Sequence, residues 1–200
     1  LGSRSVAIGN SALLTQNFTT ATDTYNTAVG DNAGRAVTTG QYNTLIGALA
    51  GDATTTGNNN VAMGYSSLTT NILSDRNVAI GNFALATHNQ ATSIDSYNIS
   101  IGHASGESIT TGVHNTLIGG ATGDALTDAD YNVSLGYATL TADTLGSKSV
   151  ALGSFTLANQ NFTTATDTFN VAIGYASGLS VTTGAFNTLI GGLAGDAITD

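Results

Sequence analysis

The sequence predicts an all-β fold, a parallel β-solenoid (β-roll) of about eleven coils of 17 or 21 residues. Three observations support this prediction. A short motif ending in glycine recurs eleven times, residues within the motif alternate with a period of two, and the intervals between motifs are fixed. Self-similarity at a fixed short period is the signature of repeat architectures, in which each unit packs against its neighbours.

The motif reads Asn, then Val or Thr, then a small residue or Leu, then an aliphatic residue, then Gly. Successive motifs are 21, 17, 17 and 17 residues apart, and this series repeats as a 72-residue super-repeat. Residues 1–200 are therefore predicted to form a single repeat array, and because both ends fall within a repeat we interpret it as a segment of a longer fibre. We predict structural roles for the motif glycines, which are Gly9, Gly30, Gly47, Gly64, Gly81, Gly102, Gly119, Gly136, Gly153, Gly174 and Gly191.

Each motif predicts a short strand. The residue before the glycine is aliphatic, as at Ile80 and Ile118, and the residue two positions earlier is mostly β-branched, as at Val78. Residues two apart share one face of a strand, and β-branched residues favour strands. We predict that these two positions face the interior, and that the small residue between them, such as Ala79, faces a second sheet.

The segment after each glycine shows a compensation between two positions. Where Leu stands four residues after the glycine, as at Leu85, a polar residue such as His88 stands three residues further on. Where Gly stands there, as at Gly106, the later residue is apolar, as at Ile109; Thr54 is the exception. We call the stretch that follows each motif glycine the return segment. Each coil thus supplies one apolar side chain from its return segment, at either of two positions. Since about three buried side chains per coil are too few to offset the ordering of the chain, we predict lateral association of copies.

Composition excludes several classes of partner. The net charge is −9 with four Lys and Arg residues in total, which disfavours binding to nucleic acid or to an anionic membrane surface. No apolar run approaches the roughly 20 residues of a membrane span, so no membrane insertion by this segment is expected. The absence of cysteine removes disulfides and thiolate metal sites.

Several motifs resemble a known family. The segments SVAIG at 5–9, NTLIG at 43–47, NVAIG at 77–81 and 170–174, and SVALG at 149–153 resemble the head repeats of YadA-like trimeric autotransporter adhesins, and similar repeats occur in phage and other viral tail fibres. The resemblance implies a homotrimer of left-handed parallel β-rolls, with inner sheets facing a threefold axis. It also implies an extracellular location, on a bacterial cell surface or in a virion tail fibre, and a role in cell adhesion or host attachment.

Residues at the same position of successive coils are expected to align in a column along the rod. Two such columns of side chains have two interpretations each. The asparagine that opens most coils could contact a ligand, but we expect its amide to stack from coil to coil as in cross-β ladders. The column just before it, which includes Tyr25, Tyr42, Tyr97 and Phe169, could offer aromatic faces to sugars or form a stacking ladder that closes a turn.

The four extra residues of each 21-residue coil predict long loops around residues 16–25, 88–97 and 160–169. Recognition commonly resides in loops on a rigid scaffold, although a longer strand or a stabilising flap would also explain them. If the segment binds a host-surface glycan or a protein receptor, the predicted binding residues are Phe18, Thr19, Asp23, Tyr25, Tyr97, Phe162, Thr163, Asp167 and Phe169.

No catalytic, metal or cofactor site is predicted. His88, His103 and His114 share no position in the repeat, and no nucleophile motif accompanies them. One carboxylate per coil is sparse for calcium. The functions that remain are an attachment fibre, a purely structural spacer of a fibre, and, more distantly, an ice-binding solenoid suggested by the Thr-rich tracts at 37–39, 53–56 and 109–111.

Overall fold

The computed structural model describes all 200 residues and confirms a parallel β-solenoid without helices. The strands are β1 (Gly2–Ser3), β2 (Val6–Ile8), β3 (Thr22–Asp23), β4 (Thr27–Val29), β5 (Thr44–Ile46), β6 (Val61–Met63), β7 (Val78–Ile80), β8 (Ile99–Ile101), β9 (Thr116–Ile118), β10 (Val133–Leu135), β11 (Gly146–Ser147), β12 (Val150–Leu152), β13 (Thr166–Asp167), β14 (Val171–Ile173) and β15 (Thr188–Ile190).

The eleven motif strands form one parallel sheet in chain order, from β2 through β4, β5, β6, β7, β8, β9, β10, β12 and β14 to β15. Their register is in phase, so that Ala28 pairs with Leu45 and Leu45 with Ala62. At the usual spacing of about 4.8 Å between strands, the sheet is roughly 50 Å long. Every coil therefore presents the same positions in columns along the rod.

The predicted orientation of the motif strands was wrong. The middle residue of each strand faces the interior: Ala79 and Leu117 are fully buried. The residues on either side of it, including Ile80 and Ile118, lie on the outer face and are only half-buried. The interior is narrow because the return segment fills it, with Leu85 and Ile109 fully buried there. Only a small residue fits on the strand where the return segment brings a leucine.

The coils with a leucine in the middle of the strand show how the cross-section is kept constant. Leu45 and Leu117 both coincide with a glycine four residues after the motif. A Cβ atom on Gly51 would lie 2.8 Å from Leu45 Cδ2, and one on Gly123 would lie 3.1 Å from Leu117 Cδ1. A large side chain on the strand is thus matched by a glycine on the return segment opposite it. The compensation predicted within the return segment therefore also includes the strand, as close packing of the interior requires.

The motif glycines lie where adjacent coils touch through their backbones. Gly47 has a φ of 125°, and a Cβ atom there would lie 2.6 Å from the carbonyl oxygen of Gly64 in the next coil. Side chains do not fit at such distances, and L-residues rarely adopt this φ. The glycine is therefore required for stacking as well as for the turn.

The asparagine column is a structural ladder, as predicted. The backbone N–H of Asn43 donates to Asn26 Oδ1 at 2.9 Å, and that of Asn60 donates to Asn43 Oδ1 at 3.0 Å. Most of the amide nitrogens also cross the coil; Asn43 Nδ2 donates to the Gly57 carbonyl oxygen at 2.8 Å, whereas Asn77 Nδ2 donates to the nearby Asp75 carbonyl oxygen at 3.3 Å. Because Asn26, Asn43 and Asn60 are buried, their amides satisfy backbone groups that water cannot reach.

Candidate functional site

The candidate site is a groove between the first and second long loops. It has a volume of about 500 Å³ and is lined by Asn17, Phe18, Thr19, Thr20, Thr39, Gln41, Thr56, Asn58 and Ser93. The first loop provides residues 17–20 and the second loop provides Ser93, so the two loops form the walls. Thr39, Gln41, Thr56 and Asn58 come from the first two of the three 17-residue coils that lie between the loops, and they form the floor.

The lining of the groove is polar and contains no charged side chain; the nearest carboxylate, that of Asp75, lies beneath the floor and accepts from the Asn58 backbone N–H at 2.6 Å. Eight of its nine lining residues are polar, and none is ionisable. Asn58 is held in place, because its Oδ1 accepts from the Gln41 backbone N–H at 2.9 Å and its Nδ2 donates to the Thr56 carbonyl oxygen at 2.9 Å. The other polar side chains of the groove donate to and accept from no other residue, so they are available to a ligand.

The first loop is fixed by contacts at both ends. The Phe18 side chain is 6% exposed and packs beside Gly2, where a Cβ atom would lie 3.0 Å from the ring. Beyond it, β3 pairs with β1 of the preceding coil. The third loop repeats this pattern through Phe162, which is 7% exposed, and through the pairing of β13 with β11. Part of each of these two loops therefore forms an additional short strand. A longer strand was one of the two alternatives to a recognition role, the other being a stabilising flap.

The corresponding position between the second and third loops is different. Its floor has Thr111, Val113, Asp128 and Asp130 in place of Thr39, Gln41, Thr56 and Asn58. Thr111 Oγ1 donates to Asp128 Oδ1 at 2.6 Å, and Gln90 Nε2 donates to the Thr111 carbonyl oxygen at 2.6 Å. Burial raises the pKa of the Asp130 carboxyl. This second position is acidic, its hydroxyl is occupied, and no groove is found there.

The predicted binding residues fall into three groups. Phe18 and Thr19 line the groove, whereas Phe162 and Thr163 lie at the equivalent positions of the third loop. Asp23 and Asp167 form ion pairs, Asp23 with Arg4 at 3.2 Å and Asp167 with Lys148. Tyr25, Tyr97 and Phe169 lie in the aromatic column.

The aromatic column is a stacking ladder, in which every ring has another ring against at least one of its faces. Tyr25 stacks on Tyr42 with centroids 5.6 Å apart, and His114 stacks on Tyr131 at 4.8 Å. A cation begins the stack in each super-repeat, as where the Arg4 guanidinium lies 5.4 Å from the Tyr25 ring centroid. All eleven residues of the column have φ between 49° and 63°, so they also form a turn. Mutual stacking favours the structural interpretation over sugar binding at the ring faces.

A second aromatic ladder, which the sequence did not predict, follows the motif glycines. Tyr65, Phe83 and His103 contact one another edge to face at centroid distances of 5.5 and 6.1 Å. Tyr137, Phe155 and Tyr175 repeat the arrangement at 5.6 and 5.9 Å. The rings alternate between the first and second residue after the glycine, so no single position of the repeat is aromatic in successive coils.

Two ionisable side chains lie inside the solenoid. His88 Nε2 is 3.1 Å from Ser96 Oγ, and burial lowers its pKa to about 4. Burial raises the pKa of Asp143, which accepts from Gln160 Nε2 at 2.6 Å and from the Phe162 N–H at 3.0 Å. Both side chains are fully buried, so they take part in the interior packing and not in a cleft.

The chain has no helix long and apolar enough to cross a membrane. No group of three or more His, Cys, Asp or Glu side chains is arranged to hold a metal ion. Comparisons of the chain with models of protein families, with curated proteins and with solved structures find no match.

Proposed function

We propose that this chain is a segment of a trimeric extracellular fibre that mediates attachment to a cell surface, on a bacterium or in a virion tail. The observation that carries the proposal is the outer face of the eleven-stranded sheet. This face is apolar along the whole rod and is covered by nothing in the single chain.

The outer face contains 22 side chains, two from each motif strand. Eighteen of them are aliphatic and four are threonines, and none is charged or carries an amide. In the middle of the rod, Met63, Val133 and Leu135 are 37%, 39% and 48% exposed. A strip roughly 50 Å long and 10 Å wide covers roughly 500 Å², which is as large as the largest apolar patch of a typical monomer. Such a surface is typical of an interface.

Further copies of this chain are the partners that fit best. A partner that covers this face must itself present an apolar face of the same length, without charge and with the same spacing between coils. A second copy of the chain presents such a face, because its outer face is identical. Closed symmetric association is also the common form of homo-oligomers. The resemblance of the motifs to trimeric adhesin head repeats favours three copies around one axis.

The position of the groove supports a role in attachment. None of its nine lining residues belongs to the eleven-stranded sheet, so copies that cover the sheet would leave the groove accessible. A trimer would present three such grooves on one rod. Several weak contacts of this kind combine into strong avidity without new contacts.

Sedimentation equilibrium tests the assembly. The chain has a mass of 20.0 kDa, and the proposal expects a species of three times that mass at micromolar concentration. Attachment is tested by shortening the three long loops to the 17-residue form and measuring adhesion of coated beads to bacterial and mammalian cells. A stable folded monomer would contradict the fibre assembly, and unchanged adhesion after shortening would remove attachment from this segment.

A structural spacer is the second candidate function. It is favoured by the aromatic side chains, because Phe18 and Phe162 are buried and the rings of the column stack on one another. The spacer predicts a trimer whose loops are inert. The loop-shortened variant therefore distinguishes the two functions, provided that it still melts cooperatively as a trimer.

A further inference from the structure

We infer that the groove between the first two long loops binds a neutral oligosaccharide. The inference rests on the attachment role proposed above and assigns it to one site and one class of ligand. It follows from three features of the groove: unused hydrogen-bonding groups, the absence of charge, and a contrast with the equivalent position one super-repeat further along.

The first feature is the set of free polar side chains. The hydroxyls of Thr19, Thr39 and Thr56 and the amide of Gln41 line the groove without a partner in the chain. Hydroxyls and amides both donate and accept, which matches the hydroxyl groups of a sugar. The volume of about 500 Å³ is within the range of ligand sites in proteins.

The second feature separates sugars from other ligands. Because no lining side chain is ionisable, the groove offers no ion pair to a phosphate, a sulfate, a sialic acid or a charged peptide. Extended peptides depend on pockets for alternate side chains, and Phe18 is the only hydrophobic residue of the lining. A neutral sugar needs neither charge nor deep apolar pockets.

The third feature is an internal comparison. The residue corresponding to Thr56 is an aspartate in both later super-repeats, Asp128 and Asp200, and each accepts a hydrogen bond from the nearby threonine, Thr111 at 2.6 Å and Thr183 at 3.1 Å. In the first super-repeat, Thr56 replaces this carboxylate and leaves the Thr39 hydroxyl free. The groove thus differs from its repeats in the features that a neutral ligand requires.

Two variants test the site without disturbing the coils. Thr56→Asp introduces the carboxylate that later super-repeats already accommodate, and it should occupy the Thr39 hydroxyl. Thr19→Trp fills the groove from an exposed loop position. The matched controls are Asp128→Thr and Thr163→Trp, which make similar changes at equivalent positions outside the groove. The probe is an array of neutral oligosaccharides that also carries sialylated and sulfated glycans, together with a set of short peptides.

We expect the wild-type protein to bind members of the neutral set. Thr56→Asp and Thr19→Trp should each weaken this binding by about tenfold or more, and both controls should leave it unchanged. The inference is overturned if no neutral glycan binds, if the two groove variants bind as well as the wild type, or if these variants lose binding to acidic glycans or peptides instead. If no glycan on the array binds but adhesion to cells still depends on the long loops, the inference is overturned and the attachment role stands. If the protein is a monomer that binds a neutral sugar, the inference stands and the trimeric fibre is overturned.

Discussion

The eleven motif strands have two faces of opposite character. On the inner face, Ala79, Ser100 and Leu117 are fully buried against the return segment of the coil. On the outer face, larger aliphatic side chains such as Ile99 and Leu135 remain 37% and 48% exposed. The size of a strand side chain therefore does not identify the interior of this solenoid. Complementarity across the coil does, since the inner residue must fit the Leu or Gly opposite it.

The largest effect is expected when a charge is placed on either face of the same strand. Leu117→Asp buries a carboxylate without a partner and should lower the free energy of unfolding by about 4 kcal/mol or more. Ile118→Asp places the charge on the outer face, where it should dissociate the copies and destabilise the coil less than Leu117→Asp does. Thermal denaturation followed by circular dichroism and sedimentation velocity of both variants measure the two effects. Equal unfolding by the two substitutions would contradict the assignment of the faces.

The next prediction concerns pH and the buried His88. Its pKa is about 4 in the folded protein against 6.5 when exposed, so the unfolded chain binds the proton more readily between these values. Stability should therefore fall as pH decreases from 6.5 to 4, by at most about 3 kcal/mol.

The matched variant for this prediction is His88→Gln, because glutamine stands at the equivalent positions Gln16 and Gln160. In urea titrations it should lose less stability than the wild type between pH 6.5 and 4. Asp143 acts in the opposite direction, since its raised pKa makes the folded state bind the proton more tightly as pH falls through its titration. It is unchanged in both proteins, so the difference between them isolates His88; identical pH profiles would place His88 outside the interior.

A smaller loss of stability is expected when an asparagine of the buried column, which precedes each motif strand, is replaced. Asn60→Ala removes the acceptor for the Asn77 backbone N–H and the donor to the Ser74 carbonyl oxygen, both of which are buried. Leaving such groups without partners should cost about 2 kcal/mol. Chemical denaturation measures the cost, and a change below 0.5 kcal/mol, on the order expected of a surface site, would contradict a structural ladder.

The smallest effect is expected outside the coil. Thr20→Ala changes an exposed side chain of the first loop and should alter the free energy of unfolding by less than about 0.5 kcal/mol. Denaturation under the same conditions as for Asn60→Ala provides the comparison. A loss as large as that of the asparagine variant would indicate that the loop stabilises the coil.

Much of the fold could be predicted from the sequence, because the spacing of the motif glycines determines both the number of coils and their register. The period of two within the strand was equally clear, but its phase was not, since both faces carry apolar residues. The coincidence of Leu45 with Gly51 and of Leu117 with Gly123 contained the missing information. It shows which strand residue faces the return segment.

The candidate site could be predicted only in part. The longer coils indicated the loops, and Thr19 proved to line the groove. Phe18 could not be placed, because its burial depends on the space beside Gly2. The floor belongs to coils of ordinary length, and its residues become neighbours of the loops only when the coils stack. The signals in the sequence were the departures of the floor residues from their later repeats, above all that of Thr56 from Asp128 and Asp200.

Cysteine cross-linking tests the central claim most directly, since the chain has no cysteine of its own. The variants Leu117→Cys and Ile118→Cys place a thiol on the inner and outer faces of the same strand. Under mild oxidation, Ile118→Cys should form disulfide-linked pairs of chains, because the outer faces of different copies meet. Leu117→Cys should remain uncross-linked and react with a thiol reagent only after unfolding. Cross-linking of Leu117→Cys, or the absence of cross-links in a folded Ile118→Cys protein, would contradict the account.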